Sequence, residues 1–285
     1  MTSVSDRNVR TSEYGPSDGG ARGTKRGDNR GGETLLMMAK YWTPGRVKTR
    51  LGASIGMSAA AELHRLFTER LTDALADCGG RRVVLVSPDD RCGEVAGAIS
   101  SRWTSLAQGD GHLGQRMWNG FRRCFEGRDC RVVMIGSDLP TLEKSDIDAA
   151  FAALVDHDCV FGPAIDGGYY LVGLRGNHGG VAGGRRSVAD SPSAKAGGES
   201  VFANLFVELP WGAESVLADS LSIAAANGLR VAMLGQREDV DTWADLVRLL
   251  ARLERSDDSD HTSLASQIRA VLSRHAFSIS DLPPV

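Results

Sequence analysis

The segment Arg131-Val-Val-Met-Ile-Gly-Ser-Asp138-Leu-Pro140 gives the strongest indication of the fold class. Residues 132–135 are continuously apolar, which is typical of a strand in a sheet covered on both faces. The following residues end the strand, because proline cannot donate to a strand ladder. An aspartate just past such a strand lies at the carboxyl edge of the sheet, where open α/β sheets bind ligands. The stretch therefore predicts a buried parallel sheet and a ligand-facing Asp138.

Strand and helix patterns alternate on both sides of this stretch. Apolar runs of strand length occur at residues 34–38, 82–86, 159–163, 169–174 and 229–234. Apolar residues at helical spacing occur at residues 58–78, 92–101, 113–125, 144–155, 214–226 and 242–253. This alternation favours a three-layer α/β/α fold with a mostly parallel, Rossmann-like sheet and right-handed crossovers.

Composition divides the 285 residues into three parts. Residues 1–33 carry almost no large apolar side chain, so they are expected to form a disordered tail. Residues 34–253 form the predicted domain, with a Gly- and Ser-rich insertion at about 175–200. Residues 254–285 begin as a charged linker and contain an amphipathic helix. That helix packs either on the domain or on a partner such as a second copy of the chain.

Charge and hydropathy exclude several classes of protein. The net charge of −3 provides no basic field for nucleic acid. The sequence contains no apolar run of about 18 residues and no apolar leader at its start, so we expect neither a membrane span nor a secretory signal. A cytoplasmic location is the expectation.

A cationic loop follows the first predicted strand. Pro44-Gly45 turns the chain, and Arg46, Lys48 and Arg50 follow at alternate positions. Three cations at a strand end suit a di- or triphosphate, whose charge must be balanced when a phosphate-linked bond is made or broken. The alternative is a solvated basic loop, because short basic runs are common.

Three aspartates are candidates for chemistry. Asp138 suits Mg²⁺ or Mn²⁺, which take one or two protein carboxylates and leave other positions to phosphates and water; it could instead cap the next turn. Asp166 lies in an Asp-Gly-Gly turn and could face the acceptor as a base or hydrogen-bond acceptor. Asp241 could complete the metal site, although either Asp241 or Thr242 could cap the following helix.

Residues 108–116 contain three glycines between Gln108 and Arg116. These glycines, including Gly114, permit backbone contact with a planar or sugar ligand, and Arg116 adds a cation at a helix start. Gln108, Gly114 and Arg116 are therefore candidate nucleotide-binding residues, although such a motif is not specific by itself.

The order of these motifs resembles the DUF2064 family, also called selenodomain-associated transferase 1, which is a family of glycosyltransferase-A-like proteins. The resemblance covers about residues 34–250. Single elements also resemble the 2-phospholactate and molybdenum-cofactor guanylyltransferases. The resemblance to the DUF2064 family is found in the segments Pro44-Gly-Arg-Val-Lys-Thr-Arg-Leu51, His112-Leu-Gly-Gln-Arg-Met117, Gly136-Ser-Asp-Leu-Pro-Thr-Leu142, Phe161-Gly-Pro-Ala-Ile-Asp-Gly-Gly-Tyr-Tyr-Leu-Val-Gly-Leu174, Leu209-Pro-Trp211 and Asp239-Val-Asp-Thr242.

The resemblance implies a nucleotide-diphospho-sugar transferase (GT-A) fold. It implies a nucleotide held by the loop that contains Gly45 and its three cations, and it makes Asp138 a ligand for Mg²⁺ or Mn²⁺ with Asp241 as a plausible second. One departure from the family pattern is His112, which replaces an Asp. If that Asp contacts the ligand, its replacement changes recognition of the donor. A second departure is that Asp138 is a single carboxylate rather than part of a strict D-x-D pair. This departure favours metal binding of the kind used in nucleotidyl transfer.

Three functions follow from these residues. The first is a metal-dependent transferase with a nucleotide-activated donor, foremost a glycosyltransferase, in which Lys48 and its neighbouring cations neutralise the leaving nucleotide and Asp166 positions or deprotonates the acceptor. The second is nucleotidyl transfer, in which a phosphorylated acceptor attacks the α-phosphorus of a nucleoside triphosphate and pyrophosphate leaves. The third is a nucleotide-binding protein without turnover.

Overall fold

The computed structural model describes residues 32–126, 131–176, 199–207 and 209–276. Seven strands within these ranges form one sheet in the order β3-β2-β1-β4-β6-β5-β7. The predicted N-terminal tail and most of the predicted insertion lie outside the described residues. The strands are β1 (Glu33–Lys40), β2 (Arg81–Ser87), β3 (Thr104–Ala107), β4 (Arg131–Ile135), β5 (Cys159–Pro163), β6 (Tyr169–Arg175) and β7 (Val231–Met233).

The sheet is mostly parallel. Strands β3, β2, β1 and β4 pair in parallel, as do β5 and β7, whereas β6 runs antiparallel to both β4 and β5. The carboxyl ends of β1, β4 and β5 therefore meet at one edge of the sheet, and the predicted fold class is confirmed.

Helices cover both faces of the sheet. Alternate residues of β4 enter separate cores, with Val133 and Ile135 in one and Val132 and Met134 in the other. This separation follows from the period of two along a strand and explains the continuous apolar run. The helices are α1 (Thr49–Ile55), α2 (Met57–Ala74), α3 (Cys92–Ala98), α4 (Leu113–Glu126), α5 (Lys144–Ala153), α6 (Glu199–Val207), α7 (Val216–Ala226), α8 (Trp243–Leu253) and α9 (Ser259–Arg274).

Some elements differ from the predicted pattern. The predicted cationic loop is shorter, because α1 begins at Thr49 and includes Arg50. Strand β3 was not predicted, since its four residues alternate between exposed and half-buried and contain no apolar run. Helix α6 begins inside the predicted insertion and buries Phe202 and Phe206 against α4. Tertiary contacts therefore stabilise elements that have weak local patterns.

The C-terminal amphipathic helix packs on the domain. Leu264 and Ile268 of α9 are fully buried in a third apolar cluster with Leu63 of α2 and Leu249 of α8. Of the two alternatives that the sequence left open, the described structure has the apolar face of α9 covered by its own chain. None of the helices in the described ranges is both long enough and apolar enough to cross a membrane.

Candidate active site

A cavity of about 510 Å³ opens at the carboxyl edge of the sheet. Its walls come from the ends of β1, β4 and β5, the start of β6, and the segment before α8. Most of the predicted site residues line it, namely Arg46, Lys48, Arg50, Gln108, Arg116, Asp138, Asp166 and Asp241. The cavity thus brings the cationic segment and the acidic residues into one space.

Lys48 has an unusual backbone for a residue with a side chain. Its φ of 45° and ψ of 43° are left-handed, and it directly precedes α1. Such a conformation costs a residue other than glycine about 1 kcal/mol or more, so tertiary contacts must maintain it. Buried Val47 and Leu51 anchor the segment on either side. The result is that the Lys48 side chain points inward and is only 2% exposed.

The Lys48 ammonium bridges two carboxylates, and we call Lys48, Asp138 and Asp241 the lysine cluster. Nζ donates to Oδ1 of Asp241 at 3.0 Å and forms a short contact with Oδ1 of Asp138. The two carboxylate side chains are 41% and 43% exposed, so their remaining oxygen surface faces the cavity. The backbone N–H of Val240 donates to the Asp138 carbonyl at 3.0 Å. This bond fixes the segment before α8 against the end of β4.

Electrostatics keep the lysine cluster charged. Burial by itself would lower the pKa of Lys48, but Asp138 and Asp241 outweigh it and raise that pKa above its ordinary value. Burial would likewise raise the pKa of Asp138, but Lys48 and His64 outweigh it and hold the pKa well below its usual range. The pair is therefore ionised at neutral pH.

His64 was not recognised as a site residue. It lies on α2, is buried, and places Nδ1 3.6 Å from Oδ1 of Asp138. Its Nε2 lies 3.0 Å from the carbonyl oxygen of Lys40, an acceptor, so Nε2 carries the hydrogen. The sequence signal that could have identified His64 is its position next to Leu63, where a polar residue interrupts the apolar face of α2. The structure places the His64 ring beside the Asp138 carboxylate, and the buried Nδ1 has no hydrogen-bond partner among the described residues.

Asp239 is a second cavity residue that was not assigned. Burial, followed by the carboxylates of Asp241 and Asp166, raises its pKa from the ordinary 3.8 to about 6, and Lys48 opposes this shift. Four carboxylates therefore line the cavity together with the cationic side chains of Lys40, Arg46, Lys48, Arg50 and Arg116.

Gln108 and Arg116 act together. The Gln108 amide donates to the carbonyls of Ala39 at 3.1 Å and Leu85 at 2.9 Å, so both of its hydrogens are used inside the sheet. Its Oε1 accepts from Nη1 of Arg116 at 2.9 Å, and Arg116 also reaches Oγ of Ser87 at 3.3 Å. Gln108 therefore orients Arg116 toward the cavity. The nucleotide-binding assignments of both residues remain predictions.

The His112 departure has a structural explanation. Its Nδ1 accepts from the backbone N–H of Gln115 at 3.4 Å, and its own N–H donates to Oε1 of Gln115 at 3.1 Å. This reciprocal pair is the arrangement of a capping box at the start of α4. Aspartate is a favoured residue at a helix N-cap, so His112 replaces it in capping. His112 does not belong to the cavity lining.

Two predicted glycines lie outside the cavity lining. A side chain on Gly114 would meet the Phe206 carbonyl oxygen at 1.8 Å and Nε1 of Trp211 at 2.5 Å, so this position permits close packing of α4. Gly45 adopts a φ of 76° in the turn after β1 and has open space around it. In the structure, Gly114 therefore allows close helix packing and Gly45 allows a turn, and both lie beside the site.

Asp166 serves its turn and also faces the cavity. Its Oδ1 accepts from the backbone N–H of Gly168 at 3.0 Å, which stabilises the turn before β6. The adjacent Gly167 has a φ of 87°, and a side chain there would meet the Glu214 carbonyl oxygen at 2.0 Å. The Asp166 residue is exposed and lines the cavity, so its second oxygen is accessible to a ligand.

The cap of α8 is Thr242. Its Oγ1 accepts from the backbone N–H of Asp245 at 3.3 Å, and Asp245 accepts from the N–H of Thr242 at 2.6 Å. This capping box leaves the Asp241 side chain free of capping, so its carboxylate can face the cavity. The alternative that the sequence left open is thereby decided in favour of Thr242.

The donor set fits a divalent metal ion. Asp138 and Asp241, which share the Lys48 ammonium, present carboxylate oxygens at the cavity wall. Mg²⁺ prefers such oxygen ligands and typically takes one or two carboxylates, with phosphates and water in its other positions. Within the described parts of the chain, no group of three or more His, Cys, Asp or Glu side chains is arranged to hold a metal. A metal here would therefore complete its coordination with ligands other than these two residues.

Comparisons with known proteins agree with the fold and the motifs. A model of the family described as "Uncharacterized protein conserved in bacteria (DUF2064)" matches residues 70–185. The chain is 33% identical over 138 residues to a 3-phospho-D-glycerate guanylyltransferase of Phenylobacterium zucineum (strain HLK1), and the match covers 45% of this chain. It spans 61% of the length of that relative.

A solved structure from Desulfovibrio desulfuricans G20, assigned as a nucleotide-diphospho-sugar transferase, superposes with a TM-score of 0.70 at 27% identity. The superposition covers 85% of this chain and 97% of that one. The match of residues 70–185 confirms the resemblance to the DUF2064 family, within a nucleotide-diphospho-sugar transferase fold.

Proposed function

We propose that this protein is a metal-dependent transferase that uses a nucleotide-activated donor. The observation that carries this proposal is the lysine cluster, where Lys48, Asp138 and Asp241 meet in a 510 Å³ cavity at the carboxyl edge of the sheet. This edge is where α/β folds of this kind bind nucleotides. The relatives support the same class by their names.

Asp138 and Asp241 would hold the metal ion, Mg²⁺ or Mn²⁺. A divalent ion held there would supply positive charge to balance the charge that develops on the leaving group. The Val240–Asp138 backbone bond keeps the two acidic segments together. This contact would help to preorganise the two ligands.

The cations of the cavity would bind the donor. Arg46 and Arg50 are exposed and flank Lys48 on the segment that follows β1. Their positive charges would interact with the donor phosphates and stabilise the leaving nucleotide. Arg116 is held by Gln108 and Ser87 at the end of β2 and would contact a further polar group of the donor.

Asp166 would face the acceptor. One of its oxygens is engaged by the Gly168 N–H, which fixes the orientation of the carboxylate. The other oxygen is accessible from the cavity and can accept a hydrogen bond, or a proton, from an acceptor hydroxyl. This role requires an acceptor bound near the turn before β6.

Nucleotidyl transfer is the second candidate. It is favoured by the named relative, a guanylyltransferase whose acceptor is a phosphorylated acid. In that reaction an acceptor oxygen attacks the α-phosphorus of a nucleoside triphosphate, the α–β phosphoanhydride bond breaks, and pyrophosphate leaves. The cations that line the cavity would suit both the triphosphate and an anionic acceptor.

The products distinguish the two reactions. The protein is incubated with Mn²⁺, with each nucleoside triphosphate plus 3-phosphoglycerate and, separately, with nucleotide-sugars and simple acceptors. Pyrophosphate release would indicate nucleotidyl transfer, whereas release of a nucleoside diphosphate from a nucleotide-sugar would indicate glycosyl transfer. Nucleotide binding that is independent of Mn²⁺ and gives no product in either assay would contradict the proposal and support the binding protein instead.

A further inference from the structure

We propose that the Lys48 ammonium occupies the position of the metal ion between Asp138 and Asp241, so that metal binding displaces the Lys48 side chain. This inference rests on the proposed metal-dependent function. It goes beyond that function by making Lys48 a competitor of the metal in the ligand-free protein and a ligand of the donor after metal binding.

The contacts of Lys48 exclude simultaneous metal binding to the same oxygens. Nζ lies 3.0 Å from Oδ1 of Asp241 and in short contact with Oδ1 of Asp138. A divalent ion bound to these oxygens would sit at roughly 2.1 Å from each. The two cations would then be far closer than their repulsion allows, because like charges repel strongly in a partly desolvated site. Either cation can occupy the position between these two Oδ1 atoms, but not both.

The burial of the three groups shows which one must move. The Lys48 side chain is only 2% exposed, whereas the Asp138 and Asp241 side chains are 41% and 43% exposed. The carboxylates therefore already face the cavity from which the ion and the donor enter. The ammonium reaches them from the protein side, along the segment that precedes α1.

The charge around the lysine cluster favours the exchange. Asp138 and Asp241 carry two negative charges, and the single charge of the Lys48 ammonium balances only one of them. A divalent ion in place of the ammonium would balance both. The donor phosphates then provide a new anionic partner for the displaced Lys48 side chain.

The backbone of Lys48 is consistent with a residue held by its partners. Its left-handed φ of 45° is costly for a lysine, and a glycine would adopt it freely. The contacts with Asp138 and Asp241 offset this cost in the ligand-free state. When the metal takes these contacts, the strained position is free to relax and carry the ammonium toward the phosphates.

The first test measures Mn²⁺ binding without nucleotide. The free Mn²⁺ signal in electron paramagnetic resonance gives the affinity of wild type, Lys48→Met and the control Arg46→Met, which removes a cavity cation outside the lysine cluster. We expect Lys48→Met to bind Mn²⁺ at least about tenfold more tightly than wild type, and Arg46→Met to change the affinity less. Equal or weaker binding by folded Lys48→Met would overturn the inference.

The second test needs no variant, in case Lys48→Met fails to fold. Wild-type protein is reductively methylated with and without saturating Mn²⁺, and the modification of each lysine is measured by mass spectrometry. Displacement predicts a severalfold faster modification of Lys48 with Mn²⁺, while exposed Lys144 is unchanged. Unchanged protection of Lys48 under conditions where Mn²⁺ is bound would refute displacement.

The two proposals fail in different ways. If Asp138→Asn retains full turnover with Mn²⁺, the proposed function itself is wrong. If Asp138→Asn loses turnover but Lys48→Met binds Mn²⁺ no better than wild type, only the displacement is wrong.

Discussion

The lysine cluster and the ion-pair cluster at Asp158 use the same kinds of charge with opposite geometry. In the lysine cluster the cation is buried and two half-exposed carboxylates reach out of the protein. At Asp158 the carboxylate is buried, with 1% of its side chain exposed, and Arg175 and Arg230 reach outward. The first lies at the carboxyl end of β4, and the second at the amino end of β5, at the opposite edge of the sheet.

The Asp158 cluster is saturated with hydrogen bonds. Oδ1 accepts from Nη2 of Arg175 and from Nη2 of Arg230, both at 3.0 Å. Oδ2 accepts from Nε of Arg230 at 3.0 Å and from its backbone N–H at 2.9 Å. These bonds join the ends of β5, β6 and β7. The cluster is therefore a structural link whose carboxylate has no surface left for a ligand.

The difference in hydrogen bonding between the two clusters indicates which buried charge stabilises the fold and which is available for function. Asp158 has its partners arranged around both oxygens, so any exchange would lose several charge-assisted bonds at once. Lys48 shares its bonds with carboxylates that remain open to the cavity. An incompletely saturated ion cluster can exchange partners, whereas a saturated one holds the fold together.

Asp138→Asn should have the largest effect on function. Loss of one charged metal ligand should reduce metal-dependent turnover by roughly a hundredfold or more, because the developing charge on the leaving group loses its stabilisation. The thermal unfolding profile should stay cooperative, since Asp138 lies at the cavity wall. Steady-state turnover measures the effect, and Asp148→Asn on the exposed side of α5 is the matched control.

Asp158→Ala should have the largest effect on stability. It leaves two arginines without their shared partner, and breaking a buried pair in this way costs about 3–5 kcal/mol. Urea unfolding measures the loss, and Asp156→Ala, an exposed neighbour, should change stability little. Below the unfolding transition, stabilisation of Asp158→Ala by nucleotide should match that of wild type. A selective loss of nucleotide binding would break the distinction between the two clusters.

Gln108→Leu extends the comparison to an uncharged buried group. Arg116 loses the acceptor that orients it, so we expect the KM for the nucleotide donor to rise about tenfold, the equivalent of roughly 1.4 kcal/mol, with a smaller change in kcat. Arg116→Met should produce a similar rise. The double variant should be little worse than either single one, because both act through one contact. Additive effects would show that Gln108 does not act through Arg116.

Glu62→Gln should give the smallest effect, because its partners lie near the surface. Burial tends to raise the pKa of Glu62, but hydrogen bonds from Arg274 and His275 outweigh it and lower that pKa below 4.5. The ionised group thus stabilises the folded protein above pH 4.5, and this contribution is lost as the pH falls through the lowered folded-state pKa.

The expected cost of Glu62→Gln is about 0.5 kcal/mol at pH 7, which is typical of an exposed pair. The difference from wild type should disappear in acid, as measured by urea unfolding at several pH values. Glu69→Gln removes an ion pair with Arg65 within α2 and does not touch α9. A larger pH-dependent loss for Glu69→Gln than for Glu62→Gln would contradict the assignment.

Much of the fold could be predicted, and the exceptions have physical causes. The apolar run of β4 identifies a doubly covered strand because its alternate side chains enter two cores. Strand β3 lacks that signal because it is short and lies at the sheet edge. Helix α1 was hidden by the basic residues around its start. Local patterns report burial well and report edge pairing and short helices poorly.

The candidate site could be predicted in part. Asp138 follows a buried strand, and the cations follow β1, so their common edge could be expected from strand direction. His64 and Asp239 carried no comparable signal, because their proximity to the lysine cluster depends on the packing of α2 and of the segment before α8. His112 and Gly114 were read as possible ligand contacts, although their positions serve helix capping and helix packing.

The alternation of strands and helices, and the end of the sheet at which the polar residues emerge, can be read from the local spacing of apolar residues. The burial of Lys48 between Asp138 and Asp241 cannot be read in this way, because it depends on long-range packing. These residues are distant in the chain, since Asp241 follows Lys48 by 193 positions. Their contact exists because parallel strands bring separate chain segments to one edge, where desolvation makes a partner for the ammonium obligatory.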